Sequence, residues 1–353
     1  ALEVNGFWAG KKVFLTGHTG FKGGWLTLWL RQLGAEVRGF ALPADTTPAF
    51  WSVAGLEGLV PGDLADICDG AALSSALQAF QPDVVLHLAA QALVREAYRN
   101  PAQTYATNVM GTVNLLEAVR HCPGVRAVVV VTTDKCYENR EWVLPYREYD
   151  ALGGFDPYSN SKACVELLCA SYRNSFLNES GVALATARAG NVIGGGDWSP
   201  ERLVPDIFRA WQHNEEVVLR YPQATRPWQH ALEPLMGYLM LARALVEEGE
   251  RHVGAWNFGP ESDNVASVEI IVGLLAEQWP VPWSVDPQAQ PHEAGLLALD
   301  SNKAREELGW RPRWSLATSL ERTLAWHLAW QNGQDMHTFT RNQIADYQGD
   351  THE

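Results

Sequence analysis

Gly17-His18-Thr19-Gly20-Phe21-Lys22-Gly23 is a GxxGxxG loop set between a short apolar run, Lys12–Leu15, and a helical pattern over Trp25–Leu33 that Gly34 ends. In such a loop the first glycine permits the tight turn and the second lets backbone approach a pyrophosphate. The third allows close helix–strand packing. The helix N-terminus adds unpaired N–H groups and a partial positive charge. Gly17, Thr19, Gly20, Phe21, Lys22 and Gly23 are therefore candidates for holding a dinucleotide. A P-loop is excluded, because no Gly-Lys-Ser/Thr follows.

Outward from the loop the chain alternates strand and helix. Glu36–Phe40 reads as a second strand, and Val84–Leu88 and Ala127–Val131 are unbroken apolar runs of strand length. That is the pattern of strands covered on both faces. Helical stretches over Ala71–Phe80 and Gln103–Val119 lie between them. The alternation predicts an α/β fold, a Rossmann-type doubly wound parallel sheet with right-handed crossovers. After about Asn191 the regularity weakens into loops rich in Gly, Pro, Trp and Arg, with helical patterns again at Leu239–Glu248, Val268–Trp279 and Asn302–Leu308. A smaller C-terminal substrate-binding domain is expected to close over the carboxyl ends of the strands. The first unit is placed at 1–190 plus about 229–262 and the second at about 191–228 plus 263–353.

The adenosine end of the expected site is less regular. The second strand closes Gly39-Phe40-Ala41-Leu42 without the acid that would hold ribose hydroxyls, and Asp45 comes late. The residues leave NAD against NADP open and predict a looser hold on the dinucleotide. Asp63-Leu64 is placed at the adenine edge.

The 353 residues, 46% hydrophobic and 19% charged, suit two closely packed domains. A net charge of −14 argues against a nucleic-acid partner, which needs a basic surface. Five cysteines, odd in number and without a CxxC pair, fit reduced thiols in the cytoplasm. No run is long and apolar enough for a membrane helix, and the N-terminal residues lack a signal-peptide profile. The ten histidines include no HExxH, so no metal is expected.

Three further segments carry chemistry. Leu88-Ala89-Ala90-Gln91 follows one apolar run, Thr132-Thr133-Asp134-Lys135 follows the next, and Tyr158-Ser159-Asn160-Ser161-Lys162 is a YxxxK opening a helix. Residues four apart share a helix face, so Lys162 is expected beside the Tyr158 ring, where its charge favours the phenolate. Thr133 is placed to hydrogen-bond the same substrate oxygen. With the glycine loop these segments resemble the extended short-chain dehydrogenase/reductases, specifically their nucleotide-sugar 4,6-dehydratases and epimerases. The likeness runs from about Lys12 to Pro312 and takes in Asn108 and Asp300-Ser301-Asn302-Lys303-Ala304.

The resemblance implies NAD as cofactor, held by the glycine loop, Asp63, Leu64, Leu88, Ala89, Ala90, Gln91, Asn108, Tyr158 and Lys162. It implies a nucleotide sugar as substrate, reached by Asn191 and lined by Arg202, Leu203, Val204, Arg220 and Tyr221. Arg226 and His230 come from an Arg-x-aromatic-x-His stretch whose guanidinium forks onto a pyrophosphate. Members of this family open by oxidising C4 of the hexose. Epimerases return the hydride there, whereas dehydratases add two ionisable groups after the threonine, one for H5 and one for the departing 6-hydroxyl. Asp134 and Lys135 are two such groups and point to dehydration. Epimerisation, or dehydration of a dTDP-glucose or GDP-mannose substrate, is the near alternative. A non-catalytic dinucleotide sensor is the distant one, disfavoured by the intact Thr133/Tyr158/Lys162 set. A homodimer through the helices beginning near Gln103 and Tyr158 is the family expectation.

Overall fold

Val13 and Leu15 face one side of their strand and Phe14 the other, and all three are fully buried. Apolar runs of this kind need helices on both faces of a sheet. The computed structural model, which describes residues 6–261, 264–287 and 296–349, supplies them. In chain order its strands begin with β1 (Lys12–Thr16), β2 (Glu36–Ala41), β3 (Gly62–Leu64), β4 (Val84–His87), β5 (Ala127–Val131) and β6 (Ala183–Ala189). The short strands β7 (Val192–Ile193), β8 (Val217–Leu219), β9 (Thr225–Pro227) and β10 (Gln229–His230) lead to β11 (Gly254–Phe258), β12 (Val265–Ser267) and β13 (Trp283–Val285). Seven of them form one sheet in the order β11-β6-β5-β4-β1-β2-β3, with every neighbouring pair parallel. This is the expected doubly wound α/β sheet.

One face of the sheet packs on helices Phe21–Gln32 and Leu232–Glu248, the other on Gly70–Phe80, Gly111–Arg120 and Pro157–Tyr172. Asp156 starts the last of these, its carboxylate accepting the Ser159 amide at 3.0 Å, with Pro157 in the first turn where no N–H is needed. The single helix expected over Gln103–Val119 is instead three pieces, Pro101–Tyr105, a π-helical turn Ala106–Met110 and Gly111–Arg120. The wide turn holds Asn108, and such turns gather at functional positions.

The three remaining strand pairs, β7 with β10, β8 with β13 and β9 with β12, belong to the second half of the chain. There Val204, Ile207 and Phe208 of the Leu203–His213 helix pack with Ile271, Leu275 and Trp279. Helices Leu316–Gln331 and Met336–Gly349, in a stretch without an expected helix, return to the sheet. Met336, Ile344 and Tyr347 share a core with Trp25 and Trp29. The buried Glu233 carboxylate fastens them, accepting the Arg313 and Trp314 amides and the Tyr347 hydroxyl. Its helix begins at Leu232, well before the expected Leu239, because Pro234 falls in the first turn, where a missing N–H costs nothing. The domain boundary expected at 262–263 lies outside the described residues. No described helix is long and apolar enough to cross a membrane.

Candidate active site

The loops after β1, β4, β5 and β6 all leave the carboxyl edge of the sheet, where parallel α/β sheets hold their ligands. Gly17 has φ +77°, and a Cβ there would lie 2.7 Å from the Ala89 amide nitrogen. A Cβ on Gly23 would sit 1.9 Å from the Gly17 carbonyl oxygen, so the helix packs on the turn only as glycine. Gly20 differs: the space beside it is open, with only the Gly17 oxygen at 3.4 Å. No side chain caps the helix that it starts, and the first turn holds no acid. An uncapped helix N-terminus beside an open cradle fits a dinucleotide pyrophosphate.

The other loop residues divide their tasks. The Thr19 hydroxyl donates to the Leu42 carbonyl at 2.7 Å, tying the loop to the end of β2. Lys22 turns the other way: its ammonium donates to the Tyr238 hydroxyl at 3.2 Å. Loss of hydration, then the charges of Arg202 and Lys162, lower its pKa to about 7. Phe21 lies against Gly194. At the adenosine end Arg38 already holds the Asp63 carboxylate, at 2.9 and 3.1 Å, while Leu64 is exposed. Leu88, Ala89, Ala90 and Gln91 are half-buried along the loop after β4.

Thr133 opens a 3-10 turn, Asp134–Cys136. Its hydroxyl accepts the Lys135 amide at 3.3 Å and donates to Asp134 Oδ1 at 3.1 Å. Asp134 is buried, its Oδ2 has no partner, and burial raises its pKa against the pull of Lys135, Thr133 and Arg226. Gly190 makes room for that oxygen, since a Cβ there would approach it to 2.8 Å. Lys135 is half-buried beside it. Tyr158 is buried, and desolvation pushes its hydroxyl up to about 12 while Thr133 and then Arg202 pull it down. Lys162 donates to the Val131 carbonyl at 3.0 Å, and burial lowers its pKa to about 8. Arg202 is thus a cation favouring the Tyr158 phenolate in this geometry, while the Lys162 ammonium is held by the Val131 carbonyl.

Beneath the turn lies a charged network that sequence reading missed. Glu166 and Arg188 pair at 2.8 Å with both side chains 3% exposed. The Glu166 carboxylate also accepts the Thr132 and Thr186 hydroxyls, and Arg188 donates to the Tyr137 hydroxyl and the Glu148 carbonyl. The pair therefore clamps both ends of the Thr132–Tyr137 segment. One signal was available: Glu166 follows Lys162 by four residues on the same helix.

On the substrate side Asn191 is half-buried just after β6. Arg202 pairs with Asp197 at 3.5 Å, and Arg220 donates to the Glu201 carbonyl at 3.0 Å. Leu203 and Tyr221 are half-buried. Arg226 is buried on β9, its guanidinium donating to the Thr225 carbonyl and acting on Asp134. Two expected residues stand apart. Val204 points into the core with Ile207 and Phe208. His230 is fully buried between Trp25 and Trp314, its Nδ1 accepting the Leu232 amide, which makes it a cap for the next helix.

The family model for GDP-mannose 4,6 dehydratase matches residues 14–323, nearly the whole described chain. The chain belongs to that family. Within it the chain is 49% identical over 352 residues to the CDP-glucose 4,6-dehydratase of Salmonella typhimurium, covering 98% of each. It is 34% identical over 331 residues to a dTDP-glucose 4,6-dehydratase of Streptomyces antibioticus, covering 89% of this chain and 92% of the relative. Among solved structures, a dTDP-glucose 4,6-dehydratase of Streptomyces venezuelae superposes with a TM-score of 0.78 at 22% identity, covering 92% of this chain and 98% of that one. The UDP-glucose 4-epimerase of Thermotoga maritima gives 0.79 at 23% identity, covering 91% and 99%. These superpositions speak for the fold. As a member of the GDP-mannose 4,6 dehydratase family the chain combines a buried acid, its pKa raised by desolvation, and a lysine with a buried tyrosine. Gly190, Glu166 and Arg188 fix where the acid and its turn stand.

Proposed function

We propose that this protein is an NAD-dependent CDP-D-glucose 4,6-dehydratase, converting CDP-D-glucose to CDP-4-keto-6-deoxy-D-glucose and water. The observation that carries the reading is the Asp134–Lys135 pair beside Thr133, in a chain 49% identical end to end to a CDP-glucose 4,6-dehydratase. The Gly-His-Thr-Gly-Phe-Lys-Gly loop and the Arg-Pro-Trp-Gln-His stretch likewise look like those of enzymes acting on CDP-glucose.

Bound in the glycine-loop cradle, NAD supplies hydride acceptance at C4 and hydride return to C6, and is regenerated in each turnover. The chain's residues do the proton work. Tyr158 takes the O4 proton, with Thr133 hydrogen-bonded to the same oxygen and Arg202 favouring the phenolate. Lys135 takes H5 once the C4 ketone has acidified it, and returns a proton to C5 as C6 is reduced. Asp134, its pKa raised by burial, protonates the leaving 6-hydroxyl. Arg226 and Arg220 hold the diphosphate, and Asn191 the sugar. Residues 191–228 with 263–353 form the substrate side and keep water from the intermediates.

Exposed Met110, Leu167 and Phe176, on the helical segments from Pro101 to Arg120 and from Pro157 to Leu177, support a homodimer through that face. Five free thiols support a cytoplasmic setting, where the product feeds deoxysugar formation for surface polysaccharide.

Among CDP-, dTDP-, GDP- and UDP-hexoses, CDP-D-glucose is expected to give the 4-keto-6-deoxy product. Substrate deuterated at C4 is expected to yield product labelled at C6 with no net change in NAD. Label kept at C4 indicates an epimerase, and label lost to free cofactor a simple dehydrogenase. Lys135→Met is expected to lower product formation about 10²-fold, the lower range for a lost acid–base group. It should also abolish exchange of H5 with solvent. Exchange that persists in that variant removes Lys135 from the proton transfer.

A further inference from the structure

Five buried polar residues, of which only Asn108 has a role above, form an unbroken line across the sheet's edge. Thr16, the last residue of β1, accepts the Leu88 and Ala89 amides on its Oγ1, both at 3.1 Å. A hydroxyl has two lone pairs and one proton, so its contact with His87 Nδ1 at 2.7 Å must be a donation. Nδ1 is then the acceptor and the His87 proton sits on Nε2, which donates to Thr112 Oγ1 at 3.0 Å. Thr112 passes its own proton to the Asn108 carbonyl at 2.6 Å. On the same residue, Asn108 Nδ2 donates to Ser161 Oγ at 2.9 Å, and Ser161 donates to the Tyr158 carbonyl at 2.7 Å. Every member is at most 2% exposed.

We propose that His87 is a positioning residue, the one-way link that sets the helix bearing Tyr158 and Lys162 against the glycine loop. The proposal rests on the catalytic reading of those two residues. The loop after β4 abuts Gly17 so closely that a Cβ would not fit, so stapling Leu88 and Ala89 to Thr16 fixes the cradle. At the other end Asn108 brackets Gln91, accepting its amide at 2.8 Å and donating to its carbonyl at 3.0 Å. The line therefore joins the two loops beside the dinucleotide to the first turn of the catalytic helix. Only a neutral ring serves it: a proton on Nδ1 would face a Thr16 oxygen whose lone pairs are already filled. Burial, with Lys162 nearby, holds the ring neutral, its pKa lowered to about 3. His87 touches no reacting atom; it acts through Asn108 and Ser161.

Two measurements test this. In ¹⁵N-histidine-labelled enzyme with NAD bound, the His87 ring, assigned by its loss in His87→Gln, is expected as the neutral Nε2–H form throughout about pH 5–8, where a free histidine titrates. An Nδ1–H or a charged ring there overturns the direction of the line. Thr112→Val, which keeps the side-chain shape and removes the hydroxyl, is expected to lower kcat about tenfold, because sub-ångström misplacement at reacting atoms has costs of that order. The KM for CDP-D-glucose should stay within about twofold, and Thr112→Ser should restore kcat. Parental kcat in the valine variant, or a serine variant as slow as the valine one, refutes the positioning role. Parental enzyme inactive on CDP-D-glucose refutes the assigned activity instead, while the ring spectrum still tests the line.

Discussion

Tyr158→Phe is expected to lower kcat about 10³-fold, inside the ~10²–10⁴ range of positioned acid–base groups. Affinity for CDP-D-glucose should hold within about twofold, because the lost oxygen serves the transition state rather than the bound substrate. The ring is buried, and phenylalanine fills the same space, so the variant reads the oxygen alone. Desolvation holds the hydroxyl up near 12 in the ligand-free site, and the Thr133 hydroxyl and the Arg202 charge are what bring it down. Steady-state turnover with a parallel binding titration checks the result. Near-parental turnover would take Tyr158 out of the reaction.

Arg188→Met is expected to destabilise the fold by about 3–5 kcal/mol, the usual cost of removing one partner of a buried ion pair. The pair is 2.8 Å long and both side chains are 3% exposed, so the Glu166 carboxylate would keep only two hydroxyl donors. Replacing both residues, with Glu166→Leu added, should recover more than half of the loss, since no charge is then left unpaired. Urea denaturation of the three proteins decides it. A single variant as stable as the parent would mean that the turn beneath Thr133 is held by something else.

The sheet was legible where strands were covered on both faces. Lys12–Thr16, Val84–His87 and Ala127–Val131 announce themselves as unbroken apolar runs. β3, only Gly62-Asp63-Leu64, is a short edge strand that buries too little to leave such a run, and in β11, Gly-Ala-Trp-Asn-Phe, the buried Asn257 interrupts it. Tyr158 and Lys162 were legible as a pair because four residues on one helix is a local spacing. Lys22, assigned to the cradle by adjacency, extends its ammonium to the Tyr238 hydroxyl, a partner that only the fold reveals. Of the polar residues that support the site, only Glu166 left a signal, its four-residue spacing from Lys162. Glu166, Arg188, His87 and Thr112 each sit among apolar neighbours in sequence, and only the fold decides which buried donor meets which acceptor. His230 and Val204 failed in the opposite sense, drawn into packing by the indoles and the cap core around them.

The parallel order β11-β6-β5-β4-β1-β2-β3 also bears on how the protein comes into being. β1 pairs with β4 across a long crossover, Val13 beside Val84, and the residues around the cradle and the turn come from four separate crossovers. Loop-closure entropy must be met before such distant pairings return any contact energy, so parallel sheets assemble slowly compared with their helices. The helices can be present while the edge carrying the site is still incomplete. Recovery of catalysis during refolding is therefore a stricter gauge of a finished molecule than recovery of helical signal.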